Sequence, residues 1–322
     1  MKQMLRMAAV CIGLLLVIAL PVSATEYGAP EITPKTTMKQ LRENPSIKGS
    51  GLYTYVYIWE RDCDLLRHSK DNDTMEQVIG TESVNSCVAG MNYLIETYNA
   101  GTQITYKLFS PEEIAQDASR DRAELYYFPA EQPGAKYAVV LSGNALFYSG
   151  EMRGGVSTAW ELHQQGYAVF ALRYRIGLDA TDNAPLEDLG RAIQFITANA
   201  QQFGVQTEDY ALVGYSSGGQ IAGIFGGKEL GYPNYGVPKP GALLLAYPIN
   251  NFYETKPLYH VSAGYRCAGT AVLRLQHFRL RGCGLPAHLL LVWSGRYPAD
   301  RVQLLAAGPG AAQGAGNLWR AL

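Results

Sequence analysis

Tyr210-Ala211-Leu212-Val213-Gly214-Tyr215-Ser216-Ser217-Gly218-Gly219, followed by Gln220-Ile221-Ala222-Gly223-Ile224-Phe225, is the stretch that decides the fold. The apolar run ending at Gly214 predicts a buried strand, and the small residues after it let the chain turn sharply into a helix. Such a turn holds Ser216 in a strained conformation with its hydroxyl exposed. Gly214 and Gly218 suit it because a Cβ at either position would meet the adjoining strand or helix. A bare Gly-x-Ser-x-Gly is common in proteins. Strand-like residues before it and helix-like residues after it distinguish a nucleophile elbow from an ordinary Gly/Ser-rich loop.

Working outward, strand and helix signals alternate. After the elbow, Ala242–Tyr247 predicts another buried strand. Before it, residues 185–203 predict a helix with Leu186, Leu189, Ile193 and Ile196 on one face and Gly204 stopping it. Lys136–Leu141 and Tyr167–Tyr174 read as strands, with a helix over Ser157–Gln165 between them. Gln103–Leu108 and Ala123–Phe128 are two more strands, joined by Ser110-Pro111-Glu112-Glu113, the signature of a helix start. This alternation implies an α/β fold with a parallel sheet covered on both faces. Further upstream, residues 82–98 predict a helix through Val84, Val88, Met91, Leu94 and Ile95, Leu52–Trp59 has strand propensity, and residues 25–50 read as a linker or extended arm.

Three patterns in order, Gly166–Phe170 leading to Arg173-Tyr174-Arg175, then Pro185–Ala192, then Gly214–Gly219, make the chain similar to a secreted α/β-hydrolase of the carboxylesterase and acetyl-xylan-esterase-like type. The resemblance runs from about Gln103 to Asn250. It implies a doubly wound, mostly parallel sheet, incomplete at the C-terminus of this chain. It implies Ser216 as the acylated nucleophile and the backbone N–H of Ser217 as one oxyanion donor. The second donor in such enzymes comes from a glycine-rich turn after the third strand, which here reads Ser142-Gly143-Asn144-Ala145. Asn144 stands where that family has glycine. Asparagine tolerates left-handed backbone and carries an amide that can reach an oxyanion, so Asn144 is the expected second member of the hole.

The chain has 322 residues and a net charge of −1, with 48% hydrophobic and 17% charged residues. This is a globular composition with no electrostatic reason to expect a nucleic-acid partner. Lys2 and Arg6 precede an apolar run to Leu20, and Val22-Ser23-Ala24 supplies the small residues of a cleavage site. The expectation is a signal peptide over residues 1–24, export to the cell envelope or beyond, and no stable membrane span after cleavage. Export makes Cys63 and Cys87 a candidate disulfide. No cysteine and histidine spacing resembles a zinc site, and neither a metal nor a cofactor is expected. The organisation that follows is an N-terminal extension with a helix over 51–102, a hydrolase core over 103–264, and an atypical tail over 265–322.

That tail is compositionally foreign. After Tyr265 it holds seven arginines, no lysine and one acidic residue, Asp300. A hydrolase of this fold presents serine, acid and histidine in that order. The carboxylates after Ser216 are Glu229, Glu254 and Asp300, and the histidines are His260, His277 and His288. No histidine follows Asp300, so neither acid nor base is assigned. Two readings of the break stand, a genuinely divergent C-terminus and a shifted reading frame: codons for Leu285–Asp300 read one base later are able to encode Pro-Pro-Thr-Tyr-Phe-Trp-Tyr-Gly-Gln-Glu-Asp-Thr-Leu-Leu, a strand and an acid-bearing loop. The expected function is hydrolysis of small-molecule or carbohydrate esters through an acyl-serine. A serine peptidase on the same fold and a catalytically degenerate binding protein are the alternatives.

Overall fold

The computed structural model describes residues 31–54, 69–144, 146, 150–180, 182–248, 290–293 and 303–305. Among these residues eight strands form one sheet: β1 (Thr105–Lys107), β2 (Glu124–Phe128), β3 (Tyr137–Leu141), β4 (Ala168–Arg173), β5 (Ala211–Tyr215), β6 (Ala242–Ala246), β7 (Leu290–Trp293) and β8 (Gln303–Leu305). Their spatial order is β1-β2-β4-β3-β5-β6-β7-β8. Pairings from β4 through β3, β5 and β6 to β7 are parallel. The pairs β1–β2, β2–β4 and β7–β8 are antiparallel. The sheet is therefore mixed, with the parallel centre that the alternating pattern predicts.

Helices enter in the order α1 (Met38–Glu43), α2 (Pro45–Ser50), α3 (Met75–Ile79), α4 (Val84–Asn99), α5 (Pro111–Gln116), α6 (Ser157–His163), α7 (Ala184–Ala198), α8 (Ala200–Phe203) and α9 (Ser217–Phe225). The two faces of the sheet carry separate apolar cores. Val139, Leu141, Phe170 and Leu172 face α7 and α9, where Leu189, Ile193, Ile221 and Phe225 are buried. Alternate residues of the same strands, Ala138, Val140, Val169 and Ala171, face Met91 and Leu94 of α4 and Leu162 of α6. Strands buried on both sides must read as unbroken apolar runs, which is why β3, β4 and β5 stand out in the sequence. Each large aliphatic or aromatic side chain so enclosed contributes roughly 1.5–3 kcal/mol.

Three readings of the sequence need correction. Residues 38–50, expected within a linker or arm, form α1 and α2, which bury Met38, Leu41 and Ile47 in the second core. Helices of six residues are too short to display a period. Their signals are caps instead: Thr37 and Gln40 form a reciprocal capping box, and Thr74 and Gln77 form another at α3. The helix expected over 185–203 is divided at Asn199, whose side-chain amide donates to Phe195 O at 2.8 Å. Leu52–Thr54 are not in a strand, and the rest of that run lies outside the described residues. The Ser110 start is a capping box with Glu113, as its sequence predicts.

The expected signal peptide, Cys63, and the tail beyond β6, apart from β7 and β8, lie outside the described residues. Cys87 has no disulfide partner among the described residues. It is enclosed on α4, where burial pushes its thiol up to about 12 against the opposing hydrogen bond with Ser157. Among the described residues no helix is long and apolar enough to cross a membrane.

Candidate active site

Ser216 stands between β5 and α9 at φ 48° and ψ −114°. A non-glycine residue in that region costs of order 1–3 kcal/mol, held only because the surroundings over-determine it. Here the surroundings are backbone. A Cβ on Gly214 would press on Gly218 O, and one on Gly218 would press on Leu141 O, so strand, turn and helix close on one another only without side chains. Ser216 N–H donates to Ala246 O at 2.9 Å, tying the turn to the neighbouring strand β6. Because α9 begins at Ser217, its first-turn N–H groups have no intrahelical acceptor. A helix N-terminus of this kind is suited to an anion.

The turn after β3 lies against this elbow. A Cβ on Gly143 would come within 3.0 Å of both Ser216 Cβ and Tyr215 O, so this close approach also requires glycine. Asn144 is fully buried and does not use left-handed backbone; in this turn that conformation belongs to Leu146, at φ 62°. Its backbone N–H and Oδ1 are bonded within the turn and to the elbow, while its Nδ2 is buried with no hydrogen-bond partner among the described residues. Its backbone N–H donates to Ser217 Oγ at 3.0 Å. Its Oδ1 accepts from Leu146 N–H at 2.8 Å and from Ser217 Oγ at 3.0 Å, and lies 3.0 Å from Tyr174 Oη. The geometry thus brings Ser216, Ser217 and Asn144 together, with Asn144 bonded across the turn to Ser217.

Beyond Gly150 a short π-helical turn, Glu151–Val156, leads into α6. Glu151 is buried with Oε1 at 3.5 Å from Ser142 Oγ, and burial pushes its carboxyl up to about 7 against the pull of Arg173. Tyr215 is anchored on this side, its hydroxyl accepting from Thr158 Oγ1 at 2.9 Å. Tyr247, 43% exposed and at φ 38°, follows β6 with its ring 6.1 Å from that of Tyr215. Glu151, the Ser217 hydroxyl and Tyr247 were not singled out by motif reading. The available signal for the first was a carboxylate ten residues after an apolar strand end, in a segment otherwise rich in glycine.

Of the five histidines, His163 alone lies among the described residues. It packs against Tyr93, Trp160 and Phe128 in the second core, and burial lowers its basicity. Glu229 is exposed just after α9. His260, His277, His288, Glu254 and Asp300 lie outside the described residues. Among the described residues no group of three or more histidine, cysteine, aspartate or glutamate side chains is placed to hold a metal ion.

A sheet with a parallel centre, a serine at positive φ on the strand-to-helix turn, and orphan helix N–H groups beside it define the α/β-hydrolase fold. The chain resembles esterases of the carboxylesterase and acetyl-xylan-esterase-like type, and the model of the family described as BD-FAE matches residues 124–230, from β2 to just past α9. A stretch of 126 residues is 26% identical to endo-1,4-beta-xylanase B of Butyrivibrio fibrisolvens, covering 36% of this chain and 18% of that protein. Among solved structures, the acetyl ester-xyloside bifunctional hydrolase of Caldicellulosiruptor lactoaceticus is 19% identical, with 46% of this chain and 57% of that one covered and a TM-score of 0.38. Esterase B of Lactobacillus rhamnosis, inhibited by a tributyrin phosphonate, is 17% identical over 66% of this chain and 72% of that one, with a TM-score of 0.45. The chain thus spans under a fifth of the xylanase and little more than half of the bifunctional hydrolase.

Proposed function

We propose that the protein is a serine hydrolase that cleaves carboxyl esters through an acyl-Ser216 intermediate. The observation that carries this reading is the backbone of Ser216, held at φ 48° by glycine contacts beside the start of α9. In the first step Ser216 Oγ bonds to the ester carbonyl carbon and passes its proton to a general base. The resulting oxyanion is met by the Ser217 N–H and by the turn at Gly143. Collapse breaks the bond to the leaving alkoxide, which takes the proton back from the base and departs as alcohol. Water then repeats the sequence on the acyl-enzyme, releasing the acid and restoring Ser216. No histidine is assigned as base, and His163 is excluded by its place in the second core. The stretch shared with a xylanase-named protein supports an esterified carbohydrate as the substrate, and the N-terminal leader supports an exported site of action.

A fluorophosphonate probe tests the reading on the full chain. One adduct is expected, on Ser216, and none in Ser216→Ala. An adduct that persists in that variant would sink the assignment. Turnover of a short-chain aryl ester, compared between this chain and a version with the tail in the alternative frame, reports whether the tail supplies the base. The frame-corrected version is expected to be faster by the contribution of a triad, and equal rates would rule out the frame shift.

A further inference from the structure

The turn after β3 needs glycine at 143 for its close approach to the elbow, and side chains from three separate segments hold it there. We propose that Asn144, Ser217 and Tyr174 form a latch that sets the position of the Gly143 turn relative to Ser216, with Asn144 and Ser217 acting as positioning residues for the acyl-transfer site. This inference rests on the proposed serine hydrolase.

The hydrogen-bond assignment follows from counting donors. Leu146 N–H is a donor only, so the Asn144 amide must turn its oxygen towards it, 2.8 Å away. With Oδ1 so placed, Ser217 Oγ–H donates to Asn144 Oδ1 and in return accepts the Asn144 backbone N–H, both at 3.0 Å. The single proton of Tyr174 goes to Ser142 O at 2.7 Å, its shortest contact, which leaves its oxygen 3.0 Å from Asn144 Oδ1 and 3.3 Å from Ser217 Oγ. Each hydroxyl proton is used once. All three side chains are almost wholly shielded from water, where a hydrogen bond is stronger and its loss more costly.

The latch joins the turn to the elbow at the residue that follows the nucleophile. Gly143, between Ser142 and Asn144, is held from both sides: Ser142 O accepts from Tyr174, and Asn144 is bonded to Ser217. Ser217 therefore has two functions on one residue. Its N–H faces the oxyanion position, and its hydroxyl holds the opposite wall at a fixed distance. A glycine in place of Asn144 would keep the close approach but remove the brace. The latch acts on the transition state, whose oxyanion needs donors within a few tenths of an ångström, more than on the ground state.

The test uses Ser217→Ala, which keeps the N–H and removes only the hydroxyl, with Asn144→Gly, the double variant, and Tyr174→Phe as a milder disturbance. For an aryl ester, Ser217→Ala is expected to lower kcat about tenfold with KM little changed, and the double variant is expected to cost no more than the worse single one. In the 15N-labelled full chain, the Asn144 and Leu146 amides of Ser217→Ala are expected to exchange with solvent at least about tenfold faster, while amides of β3 stay protected. Additive losses, a change confined to KM, or unchanged exchange at Asn144 would each overturn the latch. If the parent chain takes no phosphonate label, the proposed function fails and the exchange measurement alone decides the latch. If Ser217→Ala does not fold, Tyr174→Phe carries the same measurements, with lower kcat and faster Leu146 exchange expected and no change in either decisive against it.

Discussion

Arg173 and Arg175 lie two residues apart at the end of β4, both shielded from water, and solve the same problem differently. Arg175 is nearly saturated. Its Nε and Nη2 reach Asp188 Oδ1 at 2.9 and 2.8 Å, Nη2 also meets Glu187 Oε2 at 2.5 Å and Ala184 O at 3.2 Å, and its backbone N–H donates to Asp188 Oδ2 at 2.8 Å. Arg173 has one close carboxylate, Glu124 at 3.0 Å, lies 3.6 Å from the centre of the Tyr53 ring, and shares its surroundings with the buried Glu151. Glu124 is itself shared with Lys107 at 3.0 Å and with the Tyr126 hydroxyl at 3.0 Å. Two carboxylates around one arginine leave one of them undercompensated, and Glu151 Oε2 is buried with no hydrogen-bond partner among the described residues. One cluster is a closed clamp between β4 and α7; the other holds a buried carboxyl oxygen with no hydrogen-bond partner among the described residues.

Removing a partner from the closed clamp is expected to do the most damage. Asp188→Ala leaves the Arg175 guanidinium and its backbone N–H without their main acceptor, and is expected to cost about 3–5 kcal/mol in urea unfolding. A loss below about 1 kcal/mol would show that Glu187 and Asp117 replace it.

The open cluster should respond in the opposite direction. Burial raises the Glu151 carboxyl from 4.5 to about 7, so the folded state holds a proton that the unfolded chain has released between those values. The stability linked to that proton is fully present below about pH 4.5 and is lost as pH rises through about 7. Glu151→Gln is therefore expected to match the parent near pH 4.5 and to exceed it at pH 8 by up to about 3 kcal/mol. Parallel urea midpoints for the two proteins across that window would remove the charge argument. The smallest effect belongs to Tyr53→Leu, which keeps apolar cover over Arg173 but loses the ring face, at a cost of about 0.5–1 kcal/mol. A larger loss, measured the same way, would mean the ring supports more than the guanidinium.

Legibility in the sequence followed the same division between backbone and side-chain control. The elbow was readable because its constraints are steric and local: three backbone segments meet at Gly214 and Gly218, and only one residue type fits. β3, β4 and β5 were readable because both faces of each are buried. The Gly143 turn was not, because Asn144 takes its role from Ser217 and Tyr174, 73 and 30 residues away, and no local pattern encodes that meeting. α1 and α2 escaped for want of length, although Thr37 and Asn44 were present as caps. Glu151 looked like one more surface carboxylate until the fold buried it and β4 brought Arg173 within electrostatic reach.

Ser216 is suspended between strands and not carried at the tip of a loop. Its amide is bonded to β6, its neighbour Gly214 is in register with Leu141 of β3, and the helix behind it is packed on the sheet's first core. Its position is consequently tied to the central sheet, and heat should blur the position of its hydroxyl only when that sheet itself gives way. Wear in this protein would begin at the periphery and reach the reacting atom last.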